Sequence, residues 1–258
     1  MGVNPFTVLS NVRRGPYCTL TLRGEVAPSE PGQFYMLRGE WGADPLLPRP
    51  LSILGEDASA GTIRFLLKVV GKGTQRLYEL EPGQRVTGLG PLGRPFPREV
   101  FPKDRPAVLV GGGVGVPPLV FLAEALRREG SAFTFLQGAR TAEDLLCMEE
   151  LGVLGVSPVV TTEDGSSGEK GLVTAPLERS LSKGSSAAYA CGPEGMLKAV
   201  ARMCSGKTQS HLSLEARMGC GYGVCLGCVV AVNRDGRRVY ERVCQEGPVF
   251  DGEVILWE

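Results

Sequence analysis

A group of four cysteines near the end of the chain limits what this sequence can fold into more than any other feature. They have the spacing C-x4-C-x2-C-x15-C and are Cys220, Cys225, Cys228 and Cys244. The first three have the spacing of plant-type [2Fe–2S] loops, in which the fourth thiolate arrives from elsewhere in the chain. Glycines stand beside and between them, at Gly219, Gly221, Gly223 and Gly227. Such glycines permit positive φ angles and bring backbone N–H groups close to an anionic cluster, so we expect the four cysteines to ligate a [2Fe–2S] cluster.

Two other interpretations of these cysteines stay open at this point. A structural zinc site with four thiolates usually carries two C-x2-C pairs, and the group has one such pair, Cys225 and Cys228. The thiols could also be unligated. Three further cysteines, Cys18, Cys147 and Cys204, are isolated in the sequence, and Cys147 lies in an apolar stretch that favours a helix. We expect these three to be inert.

Composition and charge exclude several classes of protein. The 258 residues carry 28 basic and 28 acidic side chains, a balance that argues against binding of nucleic acid or of a membrane surface. The only histidine, His211, excludes His-rich metal sites and mechanisms that need two histidines. With 43% hydrophobic residues, the composition is that of a soluble globular protein of one or two domains with room for a small third module.

The sequence also argues against membrane insertion and export. Its most hydrophobic uncharged stretch, residues 106–123, contains seven Gly or Pro residues, which a membrane helix would hardly accept. The N-terminus lacks the basic end and the long apolar run of a signal peptide. We therefore expect a cytoplasmic chain, in which cysteines serve as ligands or free thiols rather than as disulfides.

The first hundred residues consist mainly of short runs rich in β-branched and aromatic residues, separated by turn signals such as Pro-Gly. The runs that predict strands are 17–23, 33–37, 62–70 and 85–90. Strands at this spacing, without long helical segments between them, indicate a small antiparallel barrel or sandwich. We expect this domain to span residues 1–102.

The pattern changes at Pro102, after which strands and helices alternate. An apolar strand is followed by glycines and then by a helix whose last turn is basic, as the helix dipole favours. Further strands are predicted by the runs 133–140, 157–165 and 187–195. This alternation predicts a parallel sheet with helices on its faces over residues 103–206. We expect the cysteine-dense remainder, 207–258, to form a third, small module.

Two loops in the second domain indicate a nucleotide site. The first follows a strand and opens a helix, where backbone amides attract phosphate, and it contains Gly111, Gly112, Gly113 and Gly115. Such a loop is a weak signal alone, because any tight turn from strand to helix can use it. The second loop, Cys191-Gly192-Pro193, also follows a strand and would share the same edge of the sheet. No acidic residue is obviously placed for a ribose hydroxyl, so the choice between NAD and NADP stays open.

Two motifs in the first domain complete a recognisable pattern. Arg49-Pro50-Leu51-Ser52 begins a predicted strand, and Gly71-Lys72-Gly73-Thr74 follows another. Together with the two later loops, in this order, they resemble the ferredoxin–NADP⁺ reductase superfamily. The cysteine tail narrows the resemblance, over nearly the whole chain, to the electron-transfer subunits of class 1B dihydroorotate dehydrogenase. The small subunit of NADH-dependent ferredoxin–NADP⁺ oxidoreductase is similar too, but it has aspartate where Cys220 stands.

The resemblance implies a role for each motif. Arg49 would bind the FAD pyrophosphate and Ser52 would lie near flavin N5. The remaining FAD contacts would come from Pro50, Leu51, Leu66, Leu67, Lys68, Gly73 and Thr74. NADH would be received, with Cys191 beside the nicotinamide, by Gly111, Gly112, Gly113, Gly115, Gly192 and Pro193. The cluster ligands would be Cys220, Cys225, Cys228 and Cys244.

The same resemblance implies an oxidoreductase subunit that carries electrons from NADH, through FAD and the cluster, to a partner. That partner would be the FMN-containing catalytic subunit of dihydroorotate dehydrogenase, in a heterotetramer with two copies of each chain, in pyrimidine biosynthesis. No residue is expected to act as an acid or a base. The alternatives are a related diaphorase that serves a hydrogenase, a sulfide-reducing complex or ferredoxin, and a zinc-stabilised binding module without redox activity.

Overall fold

The computed structural model describes residues 2–257, and the first part of the chain forms a closed antiparallel barrel. Its elements are β1 Gly2–Arg14, β2 Tyr17–Gly24, β3 Phe34–Gly39, β4 Arg49–Asp57, β5 Thr62–Lys68, α1 Lys72–Tyr78 and β6 Arg85–Leu92. The six strands close in the order β1-β2-β5-β4-β3-β6. The expectation of an antiparallel barrel is therefore confirmed.

Aromatic packing fills the barrel. Tyr35 on β3 is fully buried, and its ring meets Phe6 and Phe65 edge-to-face with centroids 5.9 and 5.8 Å apart. Edge-to-face pairs of this kind add about 0.5–1.5 kcal/mol beyond the area they bury. Because Phe6 lies on β1 and Phe65 on β5, this one side chain connects three strands of the barrel.

A sheet flanked by helices forms the second part of the fold. The remaining elements are β7 Ala107–Gly112, α2 Val116–Arg128, β8 Phe133–Ala139, α3 Met148–Val153, β9 Val159–Thr162, β10 Glu169–Lys170, α4 Thr174–Ser182, β11 Ala187–Cys191, α5 Glu194–Cys204, β12 Gln209–Ser213, β13 Val229–Arg234, β14 Arg237–Arg242 and β15 Val249–Asp251. No helix within residues 2–257 has the length and apolar character needed to cross a membrane.

The sheet has seven strands in the order β10-β9-β8-β7-β11-β12-β15. Its neighbours pair in parallel except at one end, where β15 runs antiparallel to β12. Every residue of β7 is buried, as expected for a strand covered by helices on both faces. The predicted parallel sheet with helices is confirmed.

The tail that carries the four cysteines begins and ends in this sheet. Between β12 and β15 the chain leaves the sheet, forms the cysteine loop, residues 219–228, and then the two-stranded hairpin β13–β14. The return path touches the barrel, because the backbone N–H of Arg94 donates to the carbonyl oxygen of Gly247 at 2.6 Å. The tail is therefore fixed to both of the larger parts of the molecule.

Candidate functional site

A cavity of about 850 Å³ lies at the carboxyl ends of β7 and β11. Open parallel sheets bind their ligands at this edge. The predicted loop residues that line it are Gly112, Gly113, Gly115, Gly192 and Pro193. Gly111 lies directly before them, buried at the end of β7. The two loops that the sequence singled out separately therefore form one site.

The glycines hold the two loops together as well as leaving room for a ligand. A Cβ atom on Gly115 would overlap the backbone carbonyl group of Cys191. One on Gly112 would lie 2.7 Å from the sulfur of Met196 and 3.0 Å from the Pro193 ring. Gly113 differs, because it has φ +53° and open space on its Cβ side. Two of these glycines thus permit loop-to-loop contact, and Gly113 leaves its backbone accessible.

Cys191 is buried at the end of β11, directly before the second of the two loops that line this cavity. The side chain is buried, and that burial raises the pKa of the thiol, so the thiol stays protonated near neutral pH. Ser213, its register partner on β12, hydrogen-bonds it. Glu215 follows β12 and lines the cavity mouth, where surrounding protein desolvates its carboxyl group and raises its pKa. A carboxyl group in the cavity wall and a buried neutral thiol thus lie close to each other.

The barrel supplies part of the cavity wall, which the sequence did not indicate. Tyr17 on β2 donates a 2.6 Å hydrogen bond to the carboxylate of Asp144, which belongs to the nucleotide domain. Lys68, expected among the FAD contacts, also lines this cavity and places its Nζ 5.1 Å from the centre of the Tyr17 ring. These contacts join the two larger parts of the molecule at the site.

Two carboxylates line the cavity, although the sequence offered no obvious acidic residue for a ribose. Asp144 and Glu163 both line it, Glu163 directly after β9. Arg140 lies beside them, with its Nε 3.6 Å from an Asp144 oxygen. For Glu163, its position directly after a strand was a signal that the sequence contained. For Asp144 there was none, because this residue is far in sequence from the glycine loops that it joins in lining the cavity.

The predicted flavin motif brings Arg49 to the first turn of α1. A Cβ atom on Gly73 would overlap the Arg49 guanidinium group, so this glycine makes the space that the arginine occupies. Thr74 Oγ1 accepts hydrogen bonds from the N–H groups of Val70 and Gly71 and donates to the Gly71 carbonyl oxygen. The hydroxyl group of Thr74 therefore makes its hydrogen bonds within the chain, so a ligand here would be met by backbone groups.

The other predicted flavin residues divide between surface and core. Residues 49–52 of β4 are half-buried, whereas the following 53–55 are fully buried. Leu67 packs in the barrel core, and Leu66 packs among residues beneath α2. The start of β4, with Pro50, Leu51 and Ser52, therefore presents a partly open face beside Arg49, and Leu67 can meet a ligand only through its backbone.

The four cysteines form two hydrogen-bonded pairs. Cys220 pairs with Cys225, and Cys228 pairs with Cys244. The second pair is buried, whereas Cys225 is exposed. Across residues 2–257, no three His, Cys, Asp or Glu side chains converge as a site for a single ion. The thiols are thus arranged as two adjoining pairs, one at the surface and one beneath it.

The backbone of the cysteine loop favours the thiolate form of Cys220. Burial acts to raise its pKa, but N–H groups of Cys225, Tyr222 and Val224 point at its sulfur and lower the pKa to about 6. In contrast, burial and the shared hydrogen bond with Cys228 raise the pKa of Cys244 to about 12. A cationic centre would displace that shared proton, because metal ligation deprotonates thiols.

The cysteine loop rests on the barrel next to the flavin motif. Gly221 has φ +81°, and a Cβ atom there would overlap the side chain of Met36 on β3. Met36 pairs in register with Pro50 of β4. Only one strand therefore separates the cysteine loop from the motif that contains Arg49 and Ser52.

Comparison with known proteins agrees with this arrangement. Residues 215–256 match the family described as "Iron-sulfur cluster binding domain of dihydroorotate dehydrogenase B". Residues 109–202 match "Oxidoreductase NAD-binding domain". The "Dihydroorotate dehydrogenase B (NAD(+)), electron transfer subunit" of Geobacillus kaustophilus is 43% identical over 92% of both chains. The chain belongs to the dihydroorotate dehydrogenase B electron transfer subunit family.

A further member of this family and two solved structures of other reductases are similar to this chain. A Listeria monocytogenes member is 38% identical over 92% of this chain and 91% of its own. A solved structure of an NADH-dependent reduced ferredoxin-NADP oxidoreductase has TM-score 0.84 and 29% identity over 100% of this chain and 91% of that one. The ferredoxin reductase of carbazole 1,9a-dioxygenase shares the fold, with TM-score 0.67 over 80% of this chain and 66% of that one. The expected family, an oxidoreductase with electron-transfer function, is confirmed.

The residues present fit the cofactors expected for a dihydroorotate dehydrogenase B electron transfer subunit. Two thiol pairs side by side are the donor set that two irons of a [2Fe–2S] cluster require. Because Gly73 has no Cβ, the Arg49 guanidinium packs against the start of α1, where it would be available to a pyrophosphate. The glycine-lined cavity suits a dinucleotide.

Proposed function

We propose that this chain carries electrons from NADH, through FAD and a [2Fe–2S] cluster, to the FMN of a dihydroorotate dehydrogenase catalytic subunit. One observation carries the proposal: the cysteine loop rests on Met36, the register neighbour of Pro50 in the flavin motif. Two barrel residues, Lys68 and Tyr17, also line the cavity that the two glycine loops form. The three proposed sites would therefore adjoin in the order NADH, FAD, cluster that the relay needs.

NADH would be held by the cavity between the two glycine loops. Gly113, with open space around its backbone, would let the pyrophosphate approach, and Cys191 would lie beside the nicotinamide as a small neutral thiol. Asp144 and Glu163 would accept hydrogen bonds from ribose hydroxyls. No residue in this arrangement has to transfer a proton to the substrate.

Arg49, Ser52 and the turn at Gly73 would hold FAD against the partly open start of β4. Bound flavin supplies the exchange between two-electron and one-electron chemistry, because hydride carries two electrons and a [2Fe–2S] cluster takes one. The protein's contribution is orientation. Arg49 neutralises phosphate charge and the barrel strands fix the distance to the cysteine loop.

The exit would be at Cys225, the exposed member of the four thiols. Val224 and Leu226 flank it and are 73% and 60% exposed, which gives the loop an apolar surface that a partner could cover. We propose a heterotetramer of two copies of each chain, located in the cytoplasm. The chain alone, which offers no site for orotate in this scheme, would not oxidise dihydroorotate.

Purification of the chain with and without a catalytic subunit tests the proposal. We expect a brown protein with flavin and iron–sulfur absorption, both of which bleach when NADH is added without oxygen. Reduction by dihydroorotate should require the FMN subunit. A colourless, zinc-containing chain would contradict the redox role. Bleaching by NADH without any transfer to the FMN subunit would contradict the choice of partner and favour another acceptor.

A further inference from the structure

Gly223 attaches the middle of the cysteine loop to the turn that carries Cys244. Its N–H donates toward the Cys244 thiol. Its carbonyl oxygen accepts a 2.9 Å hydrogen bond from Nη1 of Arg242. Gly223 has φ +87°, and a Cβ atom there would lie 3.0 Å from the same nitrogen. Arg242 and Gly223 thus fit each other closely at the junction between the two thiol pairs.

Glu246 fixes the direction of the Arg242 side chain. Its carboxylate accepts hydrogen bonds from Nε at 3.0 Å, from Nη2, and from the backbone N–H of Arg242 at 2.7 Å. The Arg242 carbonyl oxygen in turn accepts from the N–H groups of 245, 246 and 247. The guanidinium fork is therefore oriented before it reaches the loop, and little entropy is lost when it binds there.

The loop has few other ways to stay in place. Tyr222, Val224 and Leu226 all expose their side chains, so apolar packing contributes little on that side. On the inner side Gly221 meets Met36, and the N–H of Val243 donates to the Cys228 carbonyl oxygen at 2.9 Å. Neither of these contacts reaches the middle of the loop, which Arg242 holds.

We propose that Arg242, oriented by Glu246, is a positioning residue that holds the cysteine loop against the Cys244 turn and so sets the four thiols for the cluster. This inference rests on the proposed function, because it concerns the cluster that the relay uses. Hydrogen bonds around metal ligands typically change metal affinity 10- to 100-fold when they are removed. Arg242 and Glu246 also carry opposite charges next to the four thiols, so neutralising either side chain changes the local charge by one unit.

Cluster retention in the full-length chain tests the geometric part. We expect Arg242→Gln to lose its cluster to a chelator roughly 10- to 100-fold faster than wild type. Arg242→Lys keeps the charge but loses the fork, and we expect an intermediate rate. Arg234→Gln is the matched control, because Arg234 makes a similar bidentate pair with Glu241 at 2.8 Å on the adjoining hairpin but does not contact the loop. It should keep the wild-type rate.

The midpoint potential of the cluster tests the part played by charge. Glu246→Gln should raise it, because the unbalanced guanidinium favours the reduced and more negative cluster, and Arg242→Gln should lower it. Wild-type rates in both Arg242 variants would overturn the inference, as would equal losses in Arg242→Gln and Arg234→Gln. If Arg242→Gln does not fold, a wild-type rate in Arg242→Lys still overturns it. A wild-type chain without any cluster would instead overturn the proposed function.

Discussion

The nucleotide cavity and the cysteine loop are both rich in glycine, but the glycines serve different purposes in the two regions. In the cavity, Cβ atoms on Gly112 and Gly115 would meet the opposite loop, so these glycines let two buried loops touch. In the cysteine loop, Cβ atoms on Gly219 and Gly227 would lie 3.5 Å from the Cys225 sulfur, an ordinary contact distance. Gly221 and Gly223 do approach Met36 and Arg242, but backbone N–H groups of this loop also reach sulfur, as those of Cys225, Tyr222 and Val224 do at Cys220.

This difference shows which region depends on its ligand. The cavity is shaped by buried strands and by loop-to-loop packing, so it is formed before any nucleotide arrives. The cysteine loop is exposed at Tyr222, Val224 and Leu226 and relies on hydrogen bonds and thiols. Since metal binding and local folding are coupled at such sites, we expect the loop, and not the cavity, to loosen when its ligand is removed.

The largest effect is expected from removal of one buried ligand. Cys228→Ser should abolish the cluster, because an inner thiolate of the donor set is lost. Iron content and the low-temperature EPR spectrum of the reduced protein measure this. Reduction of the flavin by NADH should continue, since the cavity does not depend on the loop.

Cys204→Ala is the control, a buried cysteine on α5 outside the loop, and it should keep its iron. Loss of NADH-dependent flavin reduction in Cys228→Ser, with FAD still bound, would show that the two regions are not independent.

A second, smaller effect is expected from overpacking of the cavity. Gly115→Ala should force the two loops apart, since its Cβ overlaps the Cys191 backbone. A displacement near 1 Å at a reacting centre can cost about 100-fold, so flavin reduction by NADH in stopped-flow measurements should slow by that order. The cluster content should not change.

Gly152→Ala on α3, where a Cβ meets open space, is the matched control and should reduce its flavin at the wild-type rate. Equal rates of flavin reduction in Gly115→Ala and Gly152→Ala would mean that the loops of the cavity can move apart without loss of function, and that the cavity is not rigid.

The smallest effect is expected on stability, at the contact between the barrel and the nucleotide domain. Tyr17→Phe removes the hydrogen bond to Asp144 and should lower the free energy of unfolding by about 1–2 kcal/mol at pH 8, measured by urea denaturation. Burial and this hydrogen bond raise the pKa of Tyr17 to about 12. The contribution of the phenol is thus present below pH ~10 and lost as the pH rises from there through 12.

Over that pH interval wild type should lose more stability than the variant, and the two unfolding curves should approach each other. Parallel curves from pH 8 to 12 would show that the phenol group does not stabilise the junction between the barrel and the nucleotide domain.

The sequence indicated most of the regular elements but not all. The runs 17–23, 33–37, 62–70 and 85–90 correspond to β2, β3, β5 and β6. β1 was not predicted, because it buries only Phe6 and Val8 and has no apolar alternation over most of its length. α1 was interpreted as a turn, since its seven residues carry too little periodic signal.

The site was predictable where chemistry needs particular residues at close spacing. The cysteines and glycines follow that rule, and the structure brings each set together. Tyr17, Asp144 and Arg242 could not be found in this way, because their roles come from contacts between distant segments. Cys147 was expected within a helix, but it stands directly before α3 with φ 59°, where the chain turns.

The position of β15 at one edge of the sheet has a consequence for how the molecule is made. The strand comes from Val249–Asp251, and it covers the edge of β12 that would otherwise be exposed. During synthesis the sheet cannot be completed until residue 251 has left the ribosome, by which time all four thiols have been made. A nascent chain arrested before β15 would therefore carry all four thiols and still present the open edge of β12 to its neighbours.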